Sequence, residues 1–278
     1  MIAIVTDSAS MLPPVWADEL DVAVVPMTIV LDGAPLREGI DLDPSTFYRQ
    51  LAVGATVSTS APSPGEILAV YRAAAGRGAS HIVSIHTGAD YSAVLSAARV
   101  AAGQVEVPVH LVDSRTVSFP VALCVAAAAR ARGDGCDHHE VIAAAERTVD
   151  TVDSAFVVGA PDLLRRSGRL PDDLATPTPT TILALGPGGL TELAAVDSVT
   201  EALDAMADHI GNVAAHQPVR IGVGDADRPD LGDHLADLIR GRSGVVDLVR
   251  YEIGPSVGAH SGAGTVGAVW APTQENPR

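Results

Sequence analysis

The chain's 278 residues suffice for one large domain or two medium ones, and a hydrophobic content of 47% supports a sizeable core. Acidic residues outnumber basic ones 34 to 18, and the resulting formal charge of −16 argues against nucleic acid or an anionic membrane surface as the main partner. Every basic residue is an arginine. Without lysine, a Walker-type phosphate loop, a Schiff-base amine and a Ser–Lys dyad are all excluded.

No apolar run approaches the roughly 20 residues that span a bilayer, so no stable membrane anchor is expected. The opening MIAIVTDS reads as a strand and lacks the charged-then-apolar layout of a signal peptide, so a cytoplasmic protein is expected. Cys124 and Cys136, the first inside an Ala-rich helical stretch, read as incidental thiols rather than a disulfide or metal pair.

In chain order, a strand over residues 2–5 runs into Thr6-Asp7-Ser8. Strands follow at 22–25 and 27–31, the latter ending at Asp32-Gly33. Residues 44–51 read as a helix capped by Asp43, and residues 64–75 as another. The second begins with Ser63 as N-cap, Pro64 at the first helical position and Glu66 three residues on. A strand at 81–85, a helix at 91–102, a strand at 109–112 and helices at 121–132 and 138–151 continue the alternation. Apolar strands alternating with helices predict a parallel sheet covered on both faces, with its site at the carboxyl ends of the strands.

Beyond residue 155 the texture changes to a smaller α+β domain. Strands are expected at 156–159, 219–223, 246–251 and 265–270, and helices at 161–167, 198–210 and 230–240. Residues 172–181 are rich in Pro and Thr, Gly186-Pro187-Gly188-Gly189 reads as a turn, and residues 273–278 as a frayed tail.

Three separated segments could carry chemistry. Thr59-Ser60-Ala61-Pro62-Ser63 leads into a helix start, where hydroxyls and backbone N–H groups either cap the helix or bind an anion. Tyr91-Ser92-Ala93 follows a strand and the turn Gly88-Ala89-Asp90, and Ser92 alone reads as an ordinary helix-start serine. His260 stands among Gly258, Gly262, Gly264 and Gly267, where a flexible backbone can approach a ligand closely and a plain turn would need no imidazole.

Other features carry less. Arg165-Arg166-Ser167-Gly168-Arg169 is either a solvated basic turn or an anion contact. His86 reads as structural. His138-His139-Glu140 lacks the spacing that sets two imidazoles on one helix face and reads as exposed surface. Gly222-Val223-Gly224 does not complete a dinucleotide fingerprint, and no nucleophile elbow is present. No metal and no cofactor are expected.

At these segments the chain closely resembles the DegV family, fatty-acid-binding proteins that serve as the lipid-presenting subunit of bacterial fatty acid kinase. The resemblance runs in order through Val5-Thr6-Asp7-Ser8, Leu12-Pro13, Val25-Pro26-Met27, Leu31-Asp32-Gly33, Arg37-Glu38-Gly39-Ile40-Asp41, Phe47-Tyr48, residues 59–64, Asp113-Ser114-Arg115, Ser167-Gly168-Arg169 and the His260 segment. It implies a DegV-like fold: a parallel α/β domain over residues 1–155 and an α+β domain over 156–278, with a lipid site between them. It also implies that Thr59 and Ser92 hold a fatty acid carboxylate near His260, with Ser60 and Arg169 as supporting residues. The implied partners are a long-chain fatty acid and a separate kinase subunit, with no independent turnover. The chain departs from the family pattern in four places, one being the stretch after Arg169, which is shorter and lacks the family's usual Lys-Pro. The family's Ser-Gly-Thr reads Ser92-Ala93-Val94, its Gly-Pro-Gly after the histidine reads Gly262-Ala263-Gly264, and a glycine-rich turn reads Ser118-Phe119-Pro120.

Two alternatives stay open at this level. One is a hydrolase or acyltransferase using Ser92 or Thr59 with His260, although the residues show no oxyanion-hole signature and no carboxylate to orient the imidazole. The other is a binder of some other small carboxylate.

Overall fold

A computed structural model describes residues 1–171, 174, 178 and 180–273. Backbone packing divides the chain into two compact units. The first is Met1–Asp150 together with Gly254–Val257, and the second is Thr151–Ile253 together with the chain from Gly258 on. The expected boundary after residue 155 therefore falls at 150, and the first unit is discontinuous in sequence.

In the first unit, β1 (Ile2–Asp7) leads through a short 3-10 turn to α1 (Pro14–Glu19), β2 (Val22–Val25), β3 (Thr28–Leu31) and β4 (Ala34–Arg37). There follow α2 (Pro44–Ala52), β5 (Val57–Ser60), α3 (Pro64–Gly76), β6 (His81–His86), α4 (Val94–Ala102), β7 (Val109–Asp113), α5 (Phe119–Gly133) and α6 (His138–Val149). The caps read from the sequence are present. Asp43 accepts from Thr46 N at 2.9 Å, and Ser63 with Glu66 closes a capping box.

A four-stranded parallel sheet runs β2-β1-β6-β7. Side chains alternate across it. Ala3, Val5 and Ile82 pack with Ile67 and Tyr71 of α3 and Val94 and Ala98 of α4, while helices α5 and α6 lie against β6 on the other face. The sheet is thus covered on both sides, which its near-continuous apolar strands require.

A second, antiparallel sheet, β4-β3-β5, was not expected from the sequence. Its signals are weak for physical reasons. The strand β4 carries Pro35, which is tolerated because β4 lies at a sheet edge. The strand β5, Val-Ser-Thr-Ser, is too polar to read as anything but a turn. The helix expected from residue 91 begins at Val94 instead, because Ser92 Oγ accepts from Val94 N (3.2 Å) and holds the chain in a local turn.

In the second unit, β8 (Asp153–Val157), α7 (Pro161–Arg166), β9 (Thr181–Gly186) and β10 (Gly189–Ala195) precede α8 (Val199–Ala214) and β11 (Val219–Asp225). The elements α9 (Pro229–Ile239), β12 (Val245–Glu252), α10 (Pro255–Ser261) and β13 (Val266–Pro272) complete it, with Pro255–Val257 grouping with the first unit. Its mixed sheet is ordered β10-β9-β8-β13-β11-β12, with only β11 and β12 parallel. Leu203, Met206 and Ile210 of α8 and Leu235 and Ile239 of α9 pack on Ile221, Val223 and Trp270 of that sheet. The hairpin β9–β10 turns at the Gly-Pro-Gly-Gly segment, as expected. Much of the Pro/Thr-rich stretch, and the tail beyond Thr273, lie outside the described residues.

Among the described residues no helix is long and apolar enough to cross a membrane. Both cysteines are free, and burial pushes the Cys124 thiol up to about 12.

Ser118, one of the departures from the family pattern, precedes α5 at φ 69° and ψ −152°, a region that is essentially glycine-only. Ser118→Gly should therefore stabilise the protein by about 1–2 kcal/mol, read as a higher urea midpoint at unchanged slope.

Candidate functional site

Thr59 sits in β5 opposite Ile29 of β3 and is half-buried. The following turn spends most of its polar groups on itself. Ser60 Oγ donates to Ala61 O at 3.1 Å. Glu66 accepts from both Ser63 N and Ser63 Oγ at 2.7 Å, and these bonds hold its carboxyl below the usual range. The N-terminus of α3 is thus occupied by its own carboxylate, so the anion-binding reading of that helix start gives way to capping. Thr59 precedes this turn as the third residue of β5.

Ser92 hangs on a loop fixed at its root by β6. Gly88 N donates to Thr116 O (2.8 Å), and Ser92 N donates to Gly88 O (3.1 Å). A Cβ at Gly88 would lie 2.9 Å from the Arg115 and Thr116 backbone, so only glycine permits this approach. Because Ser92 Oγ accepts from Val94 N, its O–H is left to donate elsewhere.

The two segments border one groove within the first unit. A cavity of about 650 Å³ is lined by Ser60, Ala61 and Pro62 on one side and by Ala93, Ala97 and Val100 on the other. Thr59 and Ser92 are the immediate chain neighbours of these walls and do not themselves line the cavity.

His260 lies in the second unit, in the last turn of the short helix α10 rather than in a loop. The glycines that follow make close backbone contacts. Added Cβ atoms at Gly262 and Gly159 would meet Ala160 Cβ at 2.3 Å and Ala263 O at 2.0 Å. Ala160 N donates to Ser261 O (2.9 Å), and Thr265 Oγ1 accepts from Gly159 N (3.0 Å). Burial, aided by the charge of Arg169, pulls His260 down to about 4, so the imidazole is neutral at pH 7. Arg169 is half-buried, with burial lowering its pKa, and its Nη1 donates to Ser167 O at 2.8 Å. Arg165 and Arg166 are exposed. Of the three arginines of the basic turn, only Arg169 is half-buried.

A group that sequence reasoning passed over stands at the carboxyl ends of β1 and β6. Asp7 accepts from Thr87 N (3.0 Å) and Thr87 Oγ1 (2.9 Å), and its Oδ2 lies 3.0 Å from His86 Nδ1. His86 Nε2 is 2.8 Å from Ser84 Oγ, which accepts from Tyr71 OH at 2.8 Å. The order Asp–His–Ser mimics a hydrolytic triad, but Asp7, Ser84 and His86 are all 0% exposed, so no substrate reaches the serine. The reading of His86 as structural stands. The available signal was that two polar residues end adjacent parallel strands.

Glu38, from the family-like Arg37–Asp41 stretch, is also buried. It lies 2.5 Å from Ser8 Oγ and accepts from Ser256 N at 2.8 Å, and burial raises its pKa. His138 corrects the reading of its helix start as plain surface. It is half-buried and its ring stacks on His81 at 3.8 Å, while His139 is exposed.

The family model described as "Uncharacterised protein, DegV family" matches residues 1–273. The chain belongs to the DegV family. It is 33% identical over 273 residues to a DegV domain-containing protein of Streptomyces coelicolor, covering 96% of this chain and 97% of that one. A DegV family protein of Thermus thermophilus, described as binding fatty acid, superposes with a TM-score of 0.89 at 26% identity, over 98% of this chain and 99% of that one. A fatty-acid-binding DegV protein of Bacillus subtilis shares the fold with a TM-score of 0.90 at 24% identity over the same shares.

Two outcomes follow. Asp7→Ala strands the Thr87 donors and His86, and at about 1–3 kcal/mol for each buried group left unsatisfied it should cost about 3–5 kcal/mol in urea unfolding. His260 binds its proton more weakly folded than unfolded. Its contribution to stability is therefore complete above pH 6.5, falls as pH drops toward about 4, and levels off below that. The imidazole Cε1–H resonance should titrate with a midpoint near 4 rather than 6.5.

Proposed function

We propose that this protein binds a long-chain fatty acid and has no turnover of its own. The carboxylate is held by the Thr59 and Ser92 hydroxyls with Ser60 in support, and His260 and Arg169 of the second unit are the further head-group candidates that the family resemblance adds. The acyl chain lies in an apolar tunnel. The observation that carries this reading is the groove of the first unit. It brings the chain neighbours of Thr59 and Ser92 to one largely apolar cavity, with a free O–H on Ser92.

The chemistry is coherent. Each buried methylene of a fatty acid contributes about 0.8 kcal/mol, so the chain supplies affinity while the polar head sets orientation. Hydroxyl donors grip a carboxylate without burying a second full charge. Arg169 supplies the positive potential that draws an anion in an otherwise acidic chain.

A lysine-free chain with no nucleotide loop suits presentation of the carboxylate to a separate ATP-dependent kinase rather than phosphorylation by the chain itself. We place this activity in the cytoplasm.

Organic extraction and mass spectrometry of the purified protein should yield a long-chain fatty acid. A protein that carries none and also fails to bind added oleate or palmitate would refute the proposal. The double variant Thr59→Ala/Ser92→Ala should weaken fatty acid binding about tenfold or more, the worth of one to two charge-assisted hydrogen bonds. Unchanged affinity would remove both hydroxyls from the head-group site.

A further inference from the structure

Three imidazoles meet at the amino ends of β6 and β7, the opposite end of the sheet from Asp7. His81 opens β6 and His110 lies second in β7. His110 pairs across the sheet with Val83, which shares a face with His81 because side chains repeat every two residues. The helix α6 packs against this region of β6 and β7, and His138 is its first residue. Strand register and helix start thus converge three histidines on one half-buried point.

The distances are close to those of a ligand set. His81 Nδ1 and His110 Nε2 lie 3.1 Å apart, and one nitrogen from each of the three rings falls within 4.8 Å of the other two. A tetrahedral ion with bonds of about 2.0–2.1 Å requires its ligand nitrogens roughly 3.4 Å apart. The hydrogen-bonded pair is nearly at that spacing already, and a nitrogen of the third ring lies within 4.8 Å of both.

We infer that His81, His110 and His138 form a site for one divalent transition-metal ion of the zinc, cobalt or nickel type. Three imidazoles with no thiolate or carboxylate among them suit these ions rather than magnesium or calcium. A water completes the fourth position, since all three residues retain solvent exposure. The His81 and His138 rings stack nearly parallel, at 8°, so they must fan apart for both lone pairs to face the ion. His138 can turn most readily, because it stands at the first position of a helix whose cap is made by Asp137 and Glu140 instead. The positive end of the α6 dipole opposes a cation only weakly beside imidazole–metal bonds. Asp137 and Glu140, exposed at the cap and first turn of the helix that His138 opens, offset it. The bound ion would staple α6 to two strands of the parallel sheet.

The test uses the full-length protein stripped with EDTA and titrated with cobalt chloride, read by visible absorption and calorimetry, with thermal unfolding measured in parallel. The inference requires one equivalent of cobalt, the intense d–d bands of a low-coordinate site, and a raised unfolding temperature. His138→Ala should weaken binding about tenfold or more while circular dichroism stays native, and His216→Ala, on an exposed residue of the second unit, should leave it unchanged. Because His110 is more enclosed by the strands, His110→Gln serves as a second variant expected to behave like His138→Ala. Failure to bind at about 100 µM cobalt, or affinity unchanged in both His138→Ala and His110→Gln, overturns the site.

Discussion

The first unit hangs on a carboxylate with no access to water. Asp7 ends β1 inside the protein, where an unpaired charge or polar group carries a penalty of several kcal/mol. Its needs are met by Thr87 N, Thr87 Oγ1 and His86, all at the end of β6, so satisfying it locks the turn after that strand. Gly88 is then pressed onto the Arg115–Thr116 backbone, and the loop bearing Ser92 starts from a fixed root. The same network runs back through Ser84 to Tyr71 of α3, the helix that follows Thr59 and its turn. A buried polar chain with every member paired can impose one arrangement where an all-aliphatic contact would tolerate several. Resemblance to a hydrolytic triad comes from the same chemistry put to a different use.

Much of this was legible in the residues. Helix starts were marked by Asp43 and by the Ser63–Glu66 box, whose hydrogen bonds are local and need no tertiary context. The parallel strands announced themselves by continuous apolar runs, the signature of burial on both faces. What stayed hidden depended on distant partners. The strand β5 becomes a strand only because β3 is beside it, and β4 only because an edge forgives Pro35. The glycines around His260 looked like room for a ligand, but their close contacts are with Gly159 and Ala160, a hundred residues away in the chain. The three histidines at the foot of β6 and β7 were invisible as a group because sequence spacing carries no information about strand register.

The absence of lysine shapes the electrostatics as well as the chemistry. Arginine presents several donors in a rigid fork, whereas an ammonium is a single compact point. Arg250 uses that fork fully, donating to Asp233, Asp225 and the Val223 carbonyl. Arg132 reaches the carbonyls of Ile2, Leu20 and Asp21, joining the end of α5 to the first strand and to the turn after α1. In an acidic chain with few cations, these two arginines each make several contacts.

The return of Gly254–Val257 to the first unit has a consequence for how the protein is made. Glu38 sits buried with Ser256 N as one of its donors, yet Ser256 is synthesised long after the rest of the unit. At ribosomal speeds of about 5–20 residues per second, roughly 100 residues of the second unit intervene, a delay of about 5–20 s. During that interval Glu38 has Ser8 as a partner but lacks its Ser256 donor. Vectorial synthesis therefore leaves the first unit unable to finish until the second unit has almost wholly emerged, which ties the maturation of one half to the completion of the other.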